Sequence, residues 1–320
     1  MGLYHGYADL DARDQPGWFE RQCALLKDDR RLLRELRDAI LTYCREWGQF
    51  WMVEMPRELA YYDANLQVEI RDRVWRMLRK LEASGCLQMS HIDKSDDTQY
   101  RQLTPLGSYL LQGDGFEHVV LGPAFTLQTK RPAMRLVVLD DGGESGTAVH
   151  AGGGSYLTCA HCVPEGKRAH LIDVRDPDVV VSAKVLRRDD VVDVARVEGD
   201  EADTSVTLAA SPPETLDPVL ILHFPNVPAL ERALISTTGE VNGRAANILR
   251  RGYEDLLVSA KTAPGSSGGA LINGYGELAG IVVGSGASVS STGASPDEAT
   301  WRGEPFYHAI PIDQIRSALF

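Results

Sequence analysis

The amino-acid sequence predicts a multidomain chain in which a helical N-terminal domain precedes an all-β domain. Before residue 113, apolar side chains recur at spacings of three and four, which is the period of an amphipathic helix. Later in the chain, short branched apolar runs are separated by Gly, Pro and Asp, which is typical of strands. Gly and Pro concentrate in residues 112–131 and predict a linker. We therefore expect one domain at residues 1–115 and a second at residues 120–320.

Bulk composition is that of a globular protein. The chain has 320 residues, a formal net charge of −12 and 43% apolar residues, which excludes collagen-like and wholly disordered classes. Its acidic balance gives no general electrostatic footprint for nucleic acid. No apolar stretch is long enough to span a bilayer, and the N-terminus lacks the pattern of a signal peptide. We expect a cytoplasmic protein with no membrane contact, whose five scattered cysteines are free thiols.

The first helices are predicted from two apolar stripes. One stripe ends at a Gly that is a natural C-cap, and the other ends at Gly85. The residues of the two stripes are Leu33, Leu36, Ile40, Tyr43 and Trp47, and then Ile70, Val74, Leu78 and Leu81. Two short strands follow at residues 86–92 and 99–103, with a polar turn between them and a closing helix at 105–111.

This order of elements, with the phrase "YRQLTPLG" at residues 100–107, resembles a winged helix-turn-helix domain over roughly residues 25–112. The resemblance implies that Arg71, Arg73 and Arg76 lie on a recognition helix and that residues 93–98 form the wing tip. Acidic residues interrupt this basic series, so a solvated or protein-docking face is an equal alternative. The partner of this domain is therefore DNA or protein, and homo-oligomer formation is left open.

The second half is predicted to be a β-barrel or a β-sandwich, because many short strands follow one another without intervening helices. The strand candidates are residues 137–139, 179–181, 219–222, 256–258 and 280–283. Residues 285–304 are rich in Ser, Gly and Ala, and we expect a mobile loop there.

Three short motifs in this half carry chemistry. "TCAHC" at residues 158–162 comes first, "DVA" at 193–195 follows, and "GSSGG" at 265–269 comes last. A serine hydroxyl needs a neighbouring base, and the base needs a third group that fixes its tautomer. We predict Ser267 as nucleophile, His161 as base and Asp193 as the orienting carboxylate. Asp189 and Asp190 are rivals, but the Val-Ala that continues from Asp193 as a strand favours Asp193.

The glycines around the serine have a predicted role as well. Gly265 can adopt a backbone conformation closed to other residues, so that the N–H groups of Gly265 and Ser267 point together and form an oxyanion hole. Cys159, His161 and Cys162 resemble half of a zinc or thioredoxin-like site, but no second Cys/His pair lies at a suitable spacing. We therefore predict no metal.

These motifs, together with "SGTAV" at 145–149 and "FYHAIPI" at 306–312, resemble a trypsin-like protease domain of the HtrA/Deg branch over roughly residues 132–320. The resemblance implies a chymotrypsin-type double β-barrel and a serine endopeptidase that cleaves a protein substrate through an acyl-enzyme, without a cofactor. Cys162 stands where secreted trypsins have a disulfide cysteine, but residues 147–150 offer no partner. No activation-cleavage segment precedes residue 133, so control by the N-terminal domain is expected.

The trypsin-like pattern also implies a specificity pocket lined by Lys261, Thr262, Val283 and His308. A cationic floor at Lys261 would favour an acidic side chain at the cleaved position, whereas Lys261 pointing to solvent is the alternative. At the level of domain analogy, a protease joined to a sensor domain fits stress response or prokaryotic defence. Two other functions stay open: a DNA-binding regulator with a switch-like, self-cleaving protease domain, and a catalytically silent protease-like binding module.

Overall fold

The computed structural model describes residues 29–47, 50–52, 64–93, 98–113, 115–140, 142, 146–226, 232–247, 250, 252–283 and 307–320. The chain divides into two units, Met1–Gly122 and Pro123–Phe320. The predicted wing tip at 93–98 lies mostly outside the described residues, as does the predicted loop at 285–304. None of the described helices is both long and apolar enough to cross a membrane.

The first unit combines helices with a small sheet. Its elements are α1 (Asp29–Trp47), β1 (Phe50–Met52), α2 (Ala64–Ala83), β2 (Leu87–Asp93), β3 (Thr98–Leu103), α3 (Pro105–Leu110) and α4 (Phe116–Leu121). The strands form an antiparallel sheet in the order β1-β3-β2. Leu33, Leu36 and Ile40 of α1 are buried with Val74, Leu78 and Leu81 of α2, which confirms these parts of the two helical stripes. The side chains of the other stripe residues, Tyr43, Trp47 and Ile70, lie outside the described residues. The assignment of this unit to the winged-helix class stays a prediction.

The linker predicted at residues 112–131 contains the boundary between the two units, which falls between Gly122 and Pro123. The segment also forms α4 and the helix α5 (Pro123–Lys130), which the sequence did not predict. Phe116 and Val120 are buried in the core of the first unit, so α4 is part of that unit. The buried Glu117 carboxylate accepts from the guanidinium groups of Arg30 and Arg34. Gly and Pro here mark the ends of short helices, which the composition alone did not predict.

The second unit contains two closed barrels, each of six antiparallel strands. The first barrel is built from β4 (Met134–Leu139), β5 (Gly146–Gly152), β6 (Ser155–Cys159), β7 (Ala169–Asp173), β8 (Asp176–Asp189) and β9 (Val194–Glu198). Around the barrel the order is β4-β5-β6-β9-β8-β7. Closure leaves no strand with a wholly unpaired edge, and side chains such as Tyr156, Leu157 and Val197 fill the interior.

The second barrel repeats this plan with other strands: β10 (Pro218–His223), β11 (Ile235–Ala246), β12 (Glu254–Val258), β13 (Ala270–Asn273), β14 (Leu278–Val283) and β15 (Tyr307–Pro311). Their order around the barrel is β10-β11-β12-β15-β14-β13. A final helix, α6 (Ile312–Leu319), follows β15 and buries Ile312, Ile315 and Leu319. All five strand candidates of the sequence fall within observed strands, and the barrel alternative is confirmed over the sandwich.

A shared cluster joins the two barrels, and the second barrel has a further core of its own. Buried residues of the first barrel, such as Val149 and Val194, belong to the same cluster as Leu222, Phe224 and Ile281 of the second half. The separate cluster holds residues from all six strands of the second barrel: Val219, Ile221, Val241, Leu256, Val258, Leu271, Val282 and Ala309. Loops that leave the barrels next to this shared core are held by both, and the three chemical motifs lie on such loops.

Candidate active site

His161 and Asp193 form a hydrogen-bonded pair at the ends of two neighbouring strands. The ring nitrogen Nδ1 of His161 lies 2.8 Å from Oδ2 and 3.0 Å from Oδ1 of Asp193. The backbone N–H of His161 also donates to Asp193 Oδ1, at 3.0 Å. Because ring and backbone are bound to one carboxylate, the imidazole has a fixed orientation in which Nδ1 carries a proton and Nε2 is available for proton transfer.

Strand register explains this pairing. Cys159 at the end of β6 pairs with Val194 at the start of β9, so the residues just beyond each strand face one another. The Ala160 N–H accordingly donates to the Asp193 carbonyl oxygen at 3.1 Å. Asp193 has a φ of 64°, a left-handed conformation that Asp and Asn tolerate better than other non-glycine residues. This turn aims the carboxylate back at the His161 ring.

The rival carboxylates have other partners. Oδ1 of Asp189 accepts from the N–H groups of Val191 and Val192, both at 2.9 Å, and so shapes the turn that leads to Asp193. The Asp190 carboxylate pairs with the guanidinium group of Arg188. The structure therefore brings only Asp193, of the three, into contact with His161.

The pKa of His161 is raised from 6.5 to about 10. Burial lowers it, but hydrogen bonds and charges of Asp193 and of Cys162 favour the imidazolium by more. The direction follows from the geometry, because a carboxylate 2.8 Å from Nδ1 stabilises the protonated ring. A group of this kind holds its proton strongly, and its base form appears only as the pH rises.

Ser267 lies on a loop whose backbone is bound to the first barrel. The Ser267 carbonyl accepts from the N–H of Thr147 at 2.7 Å, and the Cys162 thiol donates to the same oxygen at 3.6 Å. The residue next to His161 therefore contacts the main chain of Ser267. Ser267 itself is 8% exposed, so its surroundings are largely dry.

Gly268 makes this close approach feasible. A Cβ at this position would lie 1.9 Å from the carbonyl oxygen of Thr147 and 2.3 Å from Oγ1 of Thr158, and the φ of Gly268 is +82°. Any side chain would push the serine loop away from the first barrel. The glycine requirement read from the sequence motif therefore has a steric cause on the opposite barrel.

The peptide between Pro264 and Gly265 has a defined orientation. The Pro264 carbonyl accepts from the N–H of Asn226 at 2.6 Å, and no peptide bond of the described chain is cis. In a trans peptide the next N–H points opposite to this carbonyl, so the Gly265 N–H is directed away from Asn226. Among the described residues, no carbonyl accepts the Gly265 N–H. Gly265 has a φ of +88°, and a Cβ there would lie 2.5 Å from a guanidinium nitrogen of Arg232.

A second histidine–serine pair lies beside the proposed nucleophile, and the sequence reasoning missed it. Nδ1 of His223 lies 2.5 Å from Oγ of Ser266, and the same Oγ accepts from the N–H of Ala263 at 2.9 Å. His223 is buried, and burial lowers its pKa to about 4, so it is neutral. The pair fixes the loop that carries Ser267. The second serine in "GSSGG" indicated that this loop carries another hydroxyl, but no motif indicated that His223 would bind it.

Thr147 is another missed residue. Its Oγ1 accepts from the N–H of Phe224 at 2.9 Å and lies 3.5 Å from the Gly265 carbonyl oxygen. Together with its backbone bond to Ser267, the fully buried Thr147 connects the first barrel to two segments of the second half. Its position within "SGTAV" gave no indication of this role.

Of the four predicted pocket residues, the structure pairs two, Val283 and His308, on neighbouring strands. Val283 and His308 are directly paired neighbours on β14 and β15. Nδ1 of His308 lies 3.6 Å from a carboxylate oxygen of the buried Asp255, which also pairs with Arg250. Lys261 is exposed, and its carbonyl accepts from Oγ1 of Thr237 at 2.8 Å. The pocket assignment therefore stays a prediction.

Thr262 stands out among these residues. It is 8% exposed, and within the described part of the chain its buried Oγ1 has no hydrogen-bond partner. A hydroxyl of this kind is costly unless something else completes its hydrogen bonding.

One group of described residues has the composition of a metal site. Ligand atoms of Cys159, His161 and Asp193 all lie within 4.8 Å of one another. The histidine and the carboxylate are already hydrogen-bonded to each other, and the Cys159 thiol donates to the Val282 carbonyl at 3.4 Å. A metal ion would have to break both contacts. The expectation that neither metal nor cofactor takes part stays a prediction.

The predicted basic face of the first unit is described in part. Arg73 is partly buried, and its guanidinium group pairs with the Asp29 carboxylate. Arg76 is exposed on the same helix, while the Arg71 side chain lies outside the described residues. Whether this face binds DNA or protein stays open.

Comparison with known families agrees with this geometry. Residues 144–281 match the family model of the trypsin-like peptidase domain, a stretch that contains His161, Asp193 and Ser267. A search of characterised proteins finds no match.

Three solved structures illustrate the structural similarity. The HtrA-type protease AlgW, solved with a tripeptide, aligns with a TM-score of 0.50 and 21% identity over 61% of this chain and 61% of that chain. A serine endoprotease from Yersinia pestis aligns with a TM-score of 0.47 and 21% identity, over 60% of this chain and 63% of that chain. Rv3671c of M. tuberculosis H37Rv, in an inactive form, aligns with a TM-score of 0.48 and 17% identity, over 60% of this chain and 87% of that chain. The alignment covers less than two thirds of the length of AlgW and of the Yersinia pestis protease.

Together, the two six-stranded barrels and the match to AlgW show the chymotrypsin-type double β-barrel fold in the second unit. The double β-barrel predicted from the sequence is thereby confirmed. Activity and substrate are separate questions.

Proposed function

We propose that the chain is a serine endopeptidase in which Ser267 is the nucleophile, His161 the general base and Asp193 the orienting carboxylate. The observation that carries the proposal is the contact of both Asp193 oxygens with His161 Nδ1, at 2.8 and 3.0 Å. This contact directs Nε2 to the proton-transfer role and opposes any rotation of the ring. The raised pKa of His161 fits a base whose imidazolium is stabilised during the reaction.

The reaction follows from these roles. His161 Nε2 takes the proton of Ser267 Oγ as Oγ attacks the carbonyl carbon of the scissile peptide. The imidazolium, stabilised by Asp193, then gives its proton to the leaving amine, and an acyl-enzyme remains. Water, activated by the same imidazole, attacks the ester and releases the acid and the free serine.

The negative charge on the tetrahedral intermediate needs donors. We assign this role to the N–H groups of Gly265 and Ser267. The orientation of the Pro264 carbonyl toward Asn226 supports the assignment, because it turns the Gly265 N–H to the other side of the peptide. Each donor of this kind contributes about 3 kcal/mol to lowering the barrier. His223 and Ser266 are positioning residues, since their hydrogen bond holds the loop that carries Ser267.

The substrate is proposed to be a protein, and the first unit is proposed to regulate its cleavage through a DNA or protein partner, in stress response or defence. A DNA partner predicts duplex binding that weakens steeply with salt. The observation that the first unit has its own core, formed by α1, α2 and α4, supports a separate role for it.

The test is covalent labelling of the full chain by a fluorophosphonate probe, which reacts with activated serines. We expect stoichiometric labelling at Ser267, and none in Ser267→Ala or His161→Ala. Ser266→Ala is the matched control for the identity of the nucleophile, because the neighbouring serine remains reactive even if more slowly. Labelling that survives in Ser267→Ala would overturn the assignment. A folded chain that never reacts would favour the catalytically silent binding module.

A further inference from the structure

A guanidinium group lies against Gly265, the glycine whose N–H we assign to the oxyanion hole. Nη1 of Arg232 donates to the Phe224 carbonyl at 3.2 Å. A Cβ placed on Gly265 would lie 2.5 Å from this nitrogen and 3.0 Å from the same carbonyl oxygen. The cation therefore occupies the space that a side chain would take at Gly265, directly beside the proposed site of reaction.

This cation has no anionic partner within the part of the chain that the structure describes. The Phe224 carbonyl is the acceptor that the Arg232 guanidinium group has there. Burial lowers the pKa of Arg232, and no nearby carboxylate opposes that effect. In the same unit, the guanidinium groups of Arg135, Arg188 and Arg250 each pair with a carboxylate. A half-buried charge without a counter-ion is costly, so Arg232 favours a ligand that supplies one.

The free donors of Arg232 suit one chemical group in particular. Nη1 is bound to the Phe224 carbonyl, whereas Nε and Nη2 make no hydrogen bond to the described residues. A guanidinium group offers its N–H donors in a planar fork that matches both oxygens of a carboxylate. Because Arg232 is half-buried, solvent screens a pair formed there less than it screens a pair on an open surface.

The position beside Gly265 limits which part of a substrate can supply this carboxylate. In the proposed reaction, the scissile carbonyl oxygen binds at the N–H of Gly265, and the guanidinium group contacts the same residue. An extended peptide rises by about 3.3 Å per residue. Only groups within about two residues of the scissile bond therefore come within hydrogen-bonding reach of Arg232.

We propose that Arg232 is a specificity-determining residue that binds a substrate carboxylate close to the scissile bond, an inference that rests on the proposed serine protease function. The carboxylate has two sources, the side chain of Asp or Glu and the C-terminus of a substrate that is cleaved near its end. Both present the same planar anion. Arg232 thereby differs from the predicted pocket residue Lys261, which is exposed and lies on the other side of Gly265 in the sequence.

The experiment measures which peptides the full chain selects. Pools of random octapeptides, with Glu or its neutral isostere Gln at one fixed position, are incubated with immobilised Ser267→Ala chain, and mass spectrometry quantifies the bound fraction. Each pool is used with an amidated and with a free C-terminus. We expect Glu to be enriched over Gln by about tenfold or more, as a charge-assisted hydrogen bond provides. Enrichment of free over amidated C-termini instead would identify the C-terminal carboxylate as the source.

Cleavage of the same pools by the natural chain gives the position of the carboxylate. Mass spectrometry of the products identifies each cleavage site, and we expect Glu to be over-represented at a position within about two residues of it. The binding measurement does not require Ser267. A chain that selects carboxylates through Arg232 but cleaves nothing would therefore remove the protease function and leave the binding site in place.

Matched variants test whether Arg232 is responsible. In the Ser267→Ala background, Arg232→Gln should bind Glu and Gln pools equally, and Arg232→Glu should favour pools with Lys at the fixed position. Arg232→Lys keeps the charge without the planar fork, so it should keep a weaker preference. Arg244→Gln, at an exposed position of β11, is the control and should select as the parent does. Thermal unfolding verifies that each variant is folded.

Three results would overturn the proposal. The first is equal binding of carboxylate and neutral pools by the parent chain, and the second is no binding of any pool at millimolar peptide. The third is a carboxylate preference that persists in Arg232→Gln. If that persisting preference disappears in Lys261→Ala, the carboxylate binds in the predicted pocket instead.

Discussion

The two barrels contribute to the site in different ways. The first barrel supplies His161 and Asp193 through strand register, since His161 lies two residues and Asp193 one residue beyond the paired positions Cys159 and Val194. The second barrel supplies Ser267 on a loop between strands, and that loop depends on contacts with other segments. The first half of the site is therefore fixed within its own barrel.

This difference shows where the site is vulnerable. Asp193 and His161 hold each other through three hydrogen bonds, so changes elsewhere affect them little. The Ser267 loop is held by the backbone of Thr147, by the His223–Ser266 pair and by close packing at Gly268. Substitutions at the His161–Asp193 pair should lower the reaction rate and leave the fold intact. Substitutions that affect the Ser267 loop should instead alter the position of the serine.

The largest effect is expected for Gly268→Ala. Its methyl group would overlap the Thr147 carbonyl, and the left-handed φ adds strain, so the loop must move away from the first barrel. We expect no measurable labelling at Ser267 and a free energy of unfolding lower by about 3 kcal/mol or more. Denaturant unfolding and probe labelling check this. Gly274→Ala is the control, because its nearest neighbour would be 3.9 Å away. Equal behaviour of the two variants would contradict the steric argument.

Asp193→Asn is expected to separate charge from fold. Asn tolerates the left-handed backbone of this position, so the unfolding free energy should change little. The labelling rate should fall by about a thousandfold to ten-thousandfold, because the neutral amide neither stabilises the imidazolium nor fixes its tautomer. Asp190→Asn, whose carboxylate pairs with Arg188, should label at the natural rate. A rate within a few-fold of the natural chain in Asp193→Asn would remove Asp193 from the mechanism.

Thr147→Val tests the connection between the barrels. Valine has the same shape but leaves the N–H of the buried Phe224 without its acceptor. We expect the free energy of unfolding to fall by about 1–3 kcal/mol, together with slower labelling. Thr207→Val, at an exposed position, serves as the matched substitution. Loss of stability without any change in labelling would show that Thr147 supports the fold and does not position Ser267.

The smallest effect is a shift in pH dependence. The imidazolium of His161 is stabilised, so the base form appears only as pH rises from 6.5 toward about 10, and the labelling rate should rise in that window. Cys162→Ala removes one of the groups that favour the imidazolium, so the midpoint should move to lower pH. Cys86→Ala should leave the profile unchanged. A flat profile would contradict a histidine base, and an unmoved midpoint in Cys162→Ala would exclude coupling to the thiol.

The sequence predicted the parts of this molecule that depend on local patterns. Period and branching predicted the helices around Leu33 and Leu78 and the strands of both barrels. The family resemblance carried by the motifs implied the double barrel, and the motifs named the histidine and the carboxylate that the structure joins. The preference for Asp193 over Asp190 came from the two residues after it, which start β9.

Other features depended on contacts between distant segments, which no local pattern encodes. His223 is 43 residues from Ser266, and Thr147 is 77 residues from Phe224, so neither contact leaves a spacing to recognise. The helix α4 within the predicted linker was missed, because burial of Phe116 and the ion pairs of Glu117 outweigh the helix-breaking composition around them. The assignment of the pocket residues stays a prediction. The imidazole of His308 has a buried carboxylate, that of Asp255, as a neighbour, and the sequence pattern did not indicate this contact.

The bond from the Thr147 N–H to the Ser267 carbonyl gives the molecule a built-in reporter. An amide proton exchanges with solvent only when its hydrogen bond opens, so the exchange rate of this single proton counts how often the serine loop separates from the first barrel. A site that spends most of its time assembled would protect this proton as strongly as the barrel interiors. A site that assembles only when its substrate or regulator arrives would leave it exchanging quickly, while the amides of β6 and β9 remain protected.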